Sequence, residues 1–292
     1  MTRHDHHHDQ GCSQCASGHP GGHHGRSPRP GILLAAFGTA ILEAREGYAR
    51  FERTVRERHP GIPVAWAYTA HKVRRKLAER GLDHDSLAVA LSRLYDQGVT
   101  HLAVQSLHSV PGVEYHWTLA QAEAFRHPRK GFRELAVGAS LLHDEDDLMA
   151  AREALWEMIP AARKADEAVV LVGHGTYHQA QQRYLDFELL VRQRDELVFM
   201  GTLMGSPGLD DILEALRTAG VRTAWLVPFM CVAGYHVREE IFGSGAESWQ
   251  SVIQTSGIAC QAHVAGTIEN PGMAGLWLAH LDRALKKVLP RD

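Results

Sequence analysis

Short, unbroken apolar runs that stop at glycine punctuate the chain: ILLAAFG closing at Gly38, VVLVGHG closing at Gly175 and TAWLVPFMCVAG closing at Gly234, with HLAVQSLHSV from His101 as a fourth. Runs of this length without polar alternation predict central parallel strands covered on both faces. VAWAYTA and VFMGTLMG carry weaker versions of the pattern. Between them, apolar positions recur at helical spacing over Leu42–Arg58, His71–Arg80, Ser86–Gln97, Asp147–Ile159, Gln179–Arg194, Leu209–Ala219 and Met273–Val288. Strand and helix in alternation predict an α/β fold with parallel sheets. Residues 1–30 lack periodicity and are rich in His, Gly, Pro and Ser, which predicts a disordered tail. Residues 31–160 and 161–292 are then expected to form two α/β halves.

The halves repeat one another. ILLAAFGTAILEAR aligns with VVLVGHGTYHQAQ, which sets Phe37 opposite His174; LAVQSLHSVPGVEY aligns with AWLVPFMCVAGYHV, which sets Glu114 opposite His236. The two separations, 137 and 122 positions, differ as loop insertions make them differ. A diverged duplication of a flavodoxin-like half predicts two parallel sheets facing a central cleft, with ligands held at the strand C-terminal ends.

Composition narrows the function. A formal net charge of −3 over 292 residues excludes the concentrated basic face of a nucleic-acid binder. No apolar run approaches the roughly 20 residues that span a bilayer, and the N-terminus lacks the apolar segment of a secretory signal, so the cytoplasm is the expected compartment. Cys12, Cys15, Cys231 and Cys260 are too scattered for a disulfide framework and are read as reduced thiols. Association into a homo-oligomer is left open.

The chemistry centres on Gly173-His174-Gly175-Thr176. A dinucleotide fingerprint would need a third glycine where His178 stands, and neither a phosphate-cradling loop nor a nucleophile elbow is present. What remains is an imidazole held between glycines at a strand end, where the backbone can approach a bulky ligand closely. With Glu114 and His236 expected on the same cleft, two imidazoles and a carboxylate suit an exchangeable divalent ion such as Co2+, Fe2+ or Ni2+. Taken singly, His174 could be a structural strand-end histidine, Glu114 an exposed loop carboxylate and His236 a polar helix start.

Phe37-Gly38-Thr39 followed by Arg45, QSLHSVPGVEY at Gln105–Tyr115, VGHGTYH at Val172–His178, GTLMGSPGLDD at Gly201–Asp211 and PFMCVAGYHVREE at Pro228–Glu240, with SWQ at Ser248–Gln250 and ENPGM at Glu269–Met273, resemble the anaerobic-type sirohydrochlorin cobaltochelatases of the class II chelatase superfamily. The matches run in the family's order over all but the tail. The resemblance implies two similar chelatase-like halves and insertion of Co2+ into a sirohydrochlorin-type tetrapyrrole in cobalamin biosynthesis, with no organic cofactor. It also implies that His174, His236 and Glu114 handle the metal. The departures are Met204, where relatives often carry an acidic residue, and Tyr235, where they carry Asp; both bear on the choice of metal. A sirohydrochlorin ferrochelatase and a non-enzymatic metal or haem carrier are the alternatives.

The macrocycle is expected against the turns Phe37, Gly38, Thr39, Gly175 and Thr176 and the aliphatic residues Val110, Pro111, Val113, Val232 and Ala233. Its carboxylates call for cations, with Arg45, His71, Lys72, Arg74 and Arg238 as candidates; a solvated helix face is the bland account of HKVRRKL. His108 is expected to be a hydrogen-bonded core histidine and Cys231 a small buried residue. His143 and His178 carry only surface or supporting roles. In the tail, His6, His7, His8, Cys12, Cys15, His23 and His24 offer loose metal ligands without the spacing of a structural zinc site.

Overall fold

The computed structural model describes residues 27–290. The tail ligands His6, His7, His8, Cys12, Cys15, His23 and His24 therefore lie outside the described residues. The first half runs β1 (Pro30–Ala36), α1 (Arg45–Arg58), β2 (Val64–Tyr68), α2 (His71–Ala78), α3 (Leu87–Asp96), β3 (His101–Ser106), α4 (Val113–Ala124), β4 (Glu134–Gly138) and α5 (Glu145–Leu155). The second runs β5 (Ala168–Gly175), α6 (Gln182–Arg192), β6 (Val198–Met204), α7 (Leu209–Thr218), β7 (Thr223–Pro228), a π-helical turn at His236–Ile241, α8 (Trp249–Thr255), β8 (Ala259–Ala262) and α9 (Pro271–Val288). No helix among these residues is long and apolar enough to cross a membrane.

The strands form two four-stranded parallel sheets of identical order, β2-β1-β3-β4 and β6-β5-β7-β8. Each sheet is buried on both faces, which is why its inner strands read as continuous apolar runs. Side chains alternate across a strand, so Ile32, Leu34 and Ala36 enter a central core while Leu33 and Ala35 enter an outer one. In β5, Val169 and Leu171 join that same central core, whereas Ala168, Val170 and Val172 face the other outer layer. One apolar layer is thus shared by both sheets, with a separate layer outside each.

The sheets are not independent in packing. β1 to β4 precede residue 160 and β5 to β8 follow it, yet α9, at the end of the chain, packs along β3 and β4 of the first sheet and against α5. Met273, Trp277, Leu281 and Leu285 are its buried stripe, at spacings of four residues that keep them on one face. Full burial of each such side chain contributes about 1.5–3 kcal/mol. Asn270 caps the helix by accepting from the Met273 N–H at 2.9 Å, and Pro271 occupies the first turn, where its missing N–H costs nothing. Inside the interface, His280 donates Nδ1–H to the Ala139 carbonyl at 2.9 Å, and its Nε2 pairs with Asp147 Oδ1 at 2.8 Å. Both groups are almost fully buried.

Four elements escape the sequence pattern. α4 buries only Tyr115, Thr118 and Ala122, so its inner face has little apolar contrast. α8 is short, β4 spans five residues, and β8 is an edge strand that is mostly exposed.

Candidate active site

The ends of β1 and β5 carry the same turn. Gly38 and Gly175 both have positive φ, +92° and +77°, a region costly for any residue with a Cβ. Space adds to the constraint at Gly175, where a Cβ would fall 1.8 Å from the Met204 carbonyl oxygen. The threonines that follow, Thr39 and Thr176, each accept from the backbone N–H two residues on, of Ile41 and His178, at 3.1 Å.

These turns then meet the glycine loop of the opposite half. Gly234, after β7, lies against the Thr39 hydroxyl, and Gly112, after β3, lies against that of Thr176. The crossing contact brings the two counterpart positions together at the seam. The Phe37 and His174 rings have centroids 6.4 Å apart, and His174 and His236 stand edge to face at 4.7 Å.

Both imidazoles are oriented through Nδ1. His174 donates Nδ1–H to the Gly175 carbonyl at 3.0 Å, and His236 donates Nδ1–H to the Glu240 carboxylate at 2.7 Å. That leaves each Nε2 lone pair for a metal, and the carboxylate fixes the orientation of the His236 ring. Burial holds the His174 pKa below the ordinary imidazole value, and the neighbouring His236 adds to this, against the Gly175 hydrogen bond and the carboxylates of Glu240 and Glu114. His174 is accordingly neutral at physiological pH.

Among the described residues, no three His, Cys, Asp or Glu side chains close into a metal cage. His174 and His236 are brought together. Glu114, second residue of α4 rather than a loop residue, reaches His174 electrostatically from the opposite half. Glu240 is the site residue that sequence reasoning missed. Its signal was the four-residue spacing to His236 in HVREE, which the π-helical turn converts into a contact.

The expected macrocycle contacts divide by exposure. Val110, Val232 and Ala233 are buried in the apolar cores and present no face to a ligand, and Thr39 is buried in its turn. They shape the loops rather than line the cleft. Pro111 is half-buried, while Phe37, Val113, Tyr235 and Tyr177 remain open at the strand ends. Of the candidate cations, Arg74 donates to the Tyr68 and Thr69 carbonyls, and Arg238 donates to the Ala233 carbonyl and lies 4.0 Å from the Glu43 carboxylate. His71 and Lys72 are exposed on α2.

The remaining expectations also find places. His108 shares a 2.7 Å hydrogen bond between Nδ1 and the Ser106 hydroxyl, and burial pushes its pKa down to about 4. Burial raises the Cys231 thiol well above its ordinary value, while the Tyr48 hydroxyl pairs with it; Cys260 is likewise a free thiol. His178 accepts the Ala180 N–H, and His143 packs on the Tyr115 ring.

Two parallel-sheet halves joined at strand-end turns, with paired imidazoles and open Nε2 positions at the seam, define a metal chelatase. The chain belongs to the cobalt chelatase (CbiK) family, whose model matches residues 30–286. It is 43% identical over 257 residues to the sirohydrochlorin cobaltochelatase CbiKC of Nitratidesulfovibrio vulgaris, covering 88% of this chain and 91% of that one. It is 30% identical to the sirohydrochlorin cobaltochelatase of Salmonella typhimurium, over 87% and 96% of the two chains. The fold is also that of SirB from Bacillus subtilis with Fe3+, with a TM-score of 0.61 at 16% identity over 88% of this chain and 96% of that one.

Proposed function

We propose that the protein inserts Co2+ into a sirohydrochlorin-type tetrapyrrole, releasing two pyrrole protons, in the cytoplasm. The observation that carries this is the His174–His236 pair, with both Nδ1 atoms engaged and both Nε2 atoms available. Membership of the cobalt chelatase family supports the metal, and the names of the two curated relatives support the substrate.

The chemistry follows from the protonation states. A macrocycle in its free-base form presents two N–H groups, and a hydrated ion must lose water before it reaches the ring nitrogens. His236, pinned by Glu240, and neutral His174 supply two nitrogen donors that strip part of the hydration shell without enclosing the ion. Two imidazole ligands hold a divalent cation loosely enough to release it, which a closed four-ligand cage does not. Glu114 contributes negative charge from the facing half as the cation arrives. Once the metal passes to the macrocycle, the freed His174 Nε2 is a base for one pyrrole proton; Glu114 and solvent take the other. Gly38 and Gly175 make the positive-φ turns that set Phe37 and His174 at the strand ends.

Anaerobic mixing of the protein with sirohydrochlorin and Co2+, Fe2+ or Ni2+, followed by absorption, tests the proposal. Turnover fastest with Co2+ supports it. Faster turnover with Fe2+ would mark a ferrochelatase, and binding without turnover a carrier; either would overturn it.

A further inference from the structure

A cavity of about 340 Å³ lies between α1, the end of β2 and the loop that carries His84, with Arg45, Tyr48, Trp66, Tyr68 and His84 among its walls. The Tyr68 ring lies directly against Gly38, so the cavity borders the first strand-end turn. His84 stacks flat on Tyr68, with centroids 4.3 Å apart and planes inclined by 9°. The Arg45 guanidinium donates from Nη2 to His84 Nε2 at 3.1 Å and also hydrogen-bonds the Tyr68 hydroxyl.

The charges in this cavity do not balance locally. The two carboxylates on its wall are already engaged: Glu46 pairs with Arg53 at 3.0 Å, and Glu52 pairs with Arg56 at 2.6 Å while accepting from Trp66 Nε1 at 2.8 Å. Arg45 has no carboxylate partner among the described residues. Its partners are a phenol and an imidazole that uses Nε2 as acceptor and is therefore uncharged. Burial and the adjacent guanidinium hold His84 below the ordinary imidazole pKa, in keeping with that state. Two neutral acceptors orient the fork of an arginine without neutralising it, which leaves N–H donors and a full positive charge for an incoming anion.

The second half has no equivalent. The counterpart of Arg45 in the repeat, 137 positions on, is Gln182, which bonds Asp186 at 2.9 Å. In register with Tyr68 stands Thr202, held by the Gln181 amide at 3.1 Å. Side-chain amides, one of them bonded to a carboxylate, fill the place that the cation and the aromatic stack occupy in the first half.

We infer that this cavity is a subsite for one carboxylate arm of the tetrapyrrole, with Arg45 binding the anion and the Tyr68–His84 stack positioning Arg45. The inference rests on the tetrapyrrole function. A single oriented guanidinium beside one turn anchors one acid arm of the rim and so adds to the affinity for the macrocycle.

The test uses the full chain with Arg45→Met, Arg45→Lys and His84→Phe, unfolding midpoints serving as a check of folding. Cobalt insertion into sirohydrochlorin is measured, together with the change in tryptophan fluorescence on titrating sirohydrochlorin or its fully esterified form, Trp66 being a wall of the cavity. Arg45→Met should raise KM for sirohydrochlorin about tenfold, the usual effect of losing a charge-assisted hydrogen bond, with a smaller change in kcat. Arg45→Lys should fall between, and His84→Phe should weaken binding less than Arg45→Met. The esterified ligand should bind the unaltered protein and Arg45→Met equally. An unchanged KM in a folded Arg45→Met that still inserts cobalt would overturn the subsite alone. Absence of insertion by the unaltered protein would overturn the tetrapyrrole function, and the subsite with it.

Discussion

At the end of β1 the chain places Phe37, and at the end of β5, in the same glycine turn, it places His174. After β3 stands Glu114, and at the matching position after β7 stands His236. The residue four further on is Thr118 in one half, donating to the Glu114 backbone carbonyl at 2.8 Å, and Glu240 in the other, holding the His236 ring. Both halves keep the strand order, the turns and the crossing threonine–glycine contacts. The difference lies in what the scaffold carries: a pair of imidazoles in the second half, a carboxylate and an uncompensated arginine in the first. A duplicated fold can divide metal handling from ligand positioning without altering its backbone, because each strand-end position is a separate choice of side chain on a shared frame.

The sharpest way to break this comparison is to exchange matched positions. His174→Ala and His236→Ala should each abolish cobalt insertion with little change in unfolding midpoint, whereas Phe37→Ala should retain most of it, read by the absorption change of the tetrapyrrole. Equal losses at Phe37 and His174 would mean that the halves are not specialised. A second test concerns the helix they share. His280→Leu leaves the Asp147 carboxylate in the interior without its closest partner and should destabilise by about 3–5 kcal/mol in urea unfolding. Replacing both residues with leucine should recover much of that loss.

Acid separates the halves in another way. His108 occupies the position that Met230 fills in the repeat, and its Nε2 is shut off from solvent without a partner. Its folded-state pKa of about 4 lies below the 6.5 of an unperturbed imidazole. The unfolded chain therefore binds the extra proton between these values. The contribution to stability is complete above about pH 6.5 and falls away toward pH 4, by about 3 kcal/mol. Denaturant titrations across that window should show a shallower acid loss in His108→Asn, and an unaltered slope would refute the assignment. The smallest effect is expected at Glu240. Its replacement by Ala should weaken Co2+ affinity about 10–100-fold, the usual cost of losing a carboxylate behind a histidine ligand. Thr118→Val should change affinity by less than about twofold, and calorimetric Co2+ titration of both variants measures the contrast.

Much of this was legible in the sequence. Strands buried on both faces leave unbroken apolar runs, so β1, β3, β5 and β7 stood out, and their repetition singled out His174 and His236. What escaped has physical reasons. α4 hides because its inner face includes Thr118, and β8 hides because an exposed edge strand needs no apolar run. Val110, Val232 and Ala233 looked like ligand contacts, since an aliphatic residue in a loop reads the same whether it faces a cleft or a core. Glu240 escapes although its four-residue spacing from His236 is present, because a short polar turn gives no apolar periodicity to mark it as helical. The site's electrostatics, above all the neutral partners of Arg45, exist only once α1, β2 and the His84 loop are assembled.

The path of α9 has a consequence for the timing of synthesis. The inner faces of β3 and β4 are made about a hundred and fifty residues before the helix that covers them, and ribosomes release the N-terminal portion first. The first sheet must therefore wait, with apolar surface uncovered, until the last stretch of the polypeptide emerges. A message cut short after β8 would specify every residue of the cleft and still yield a first half that cannot finish folding.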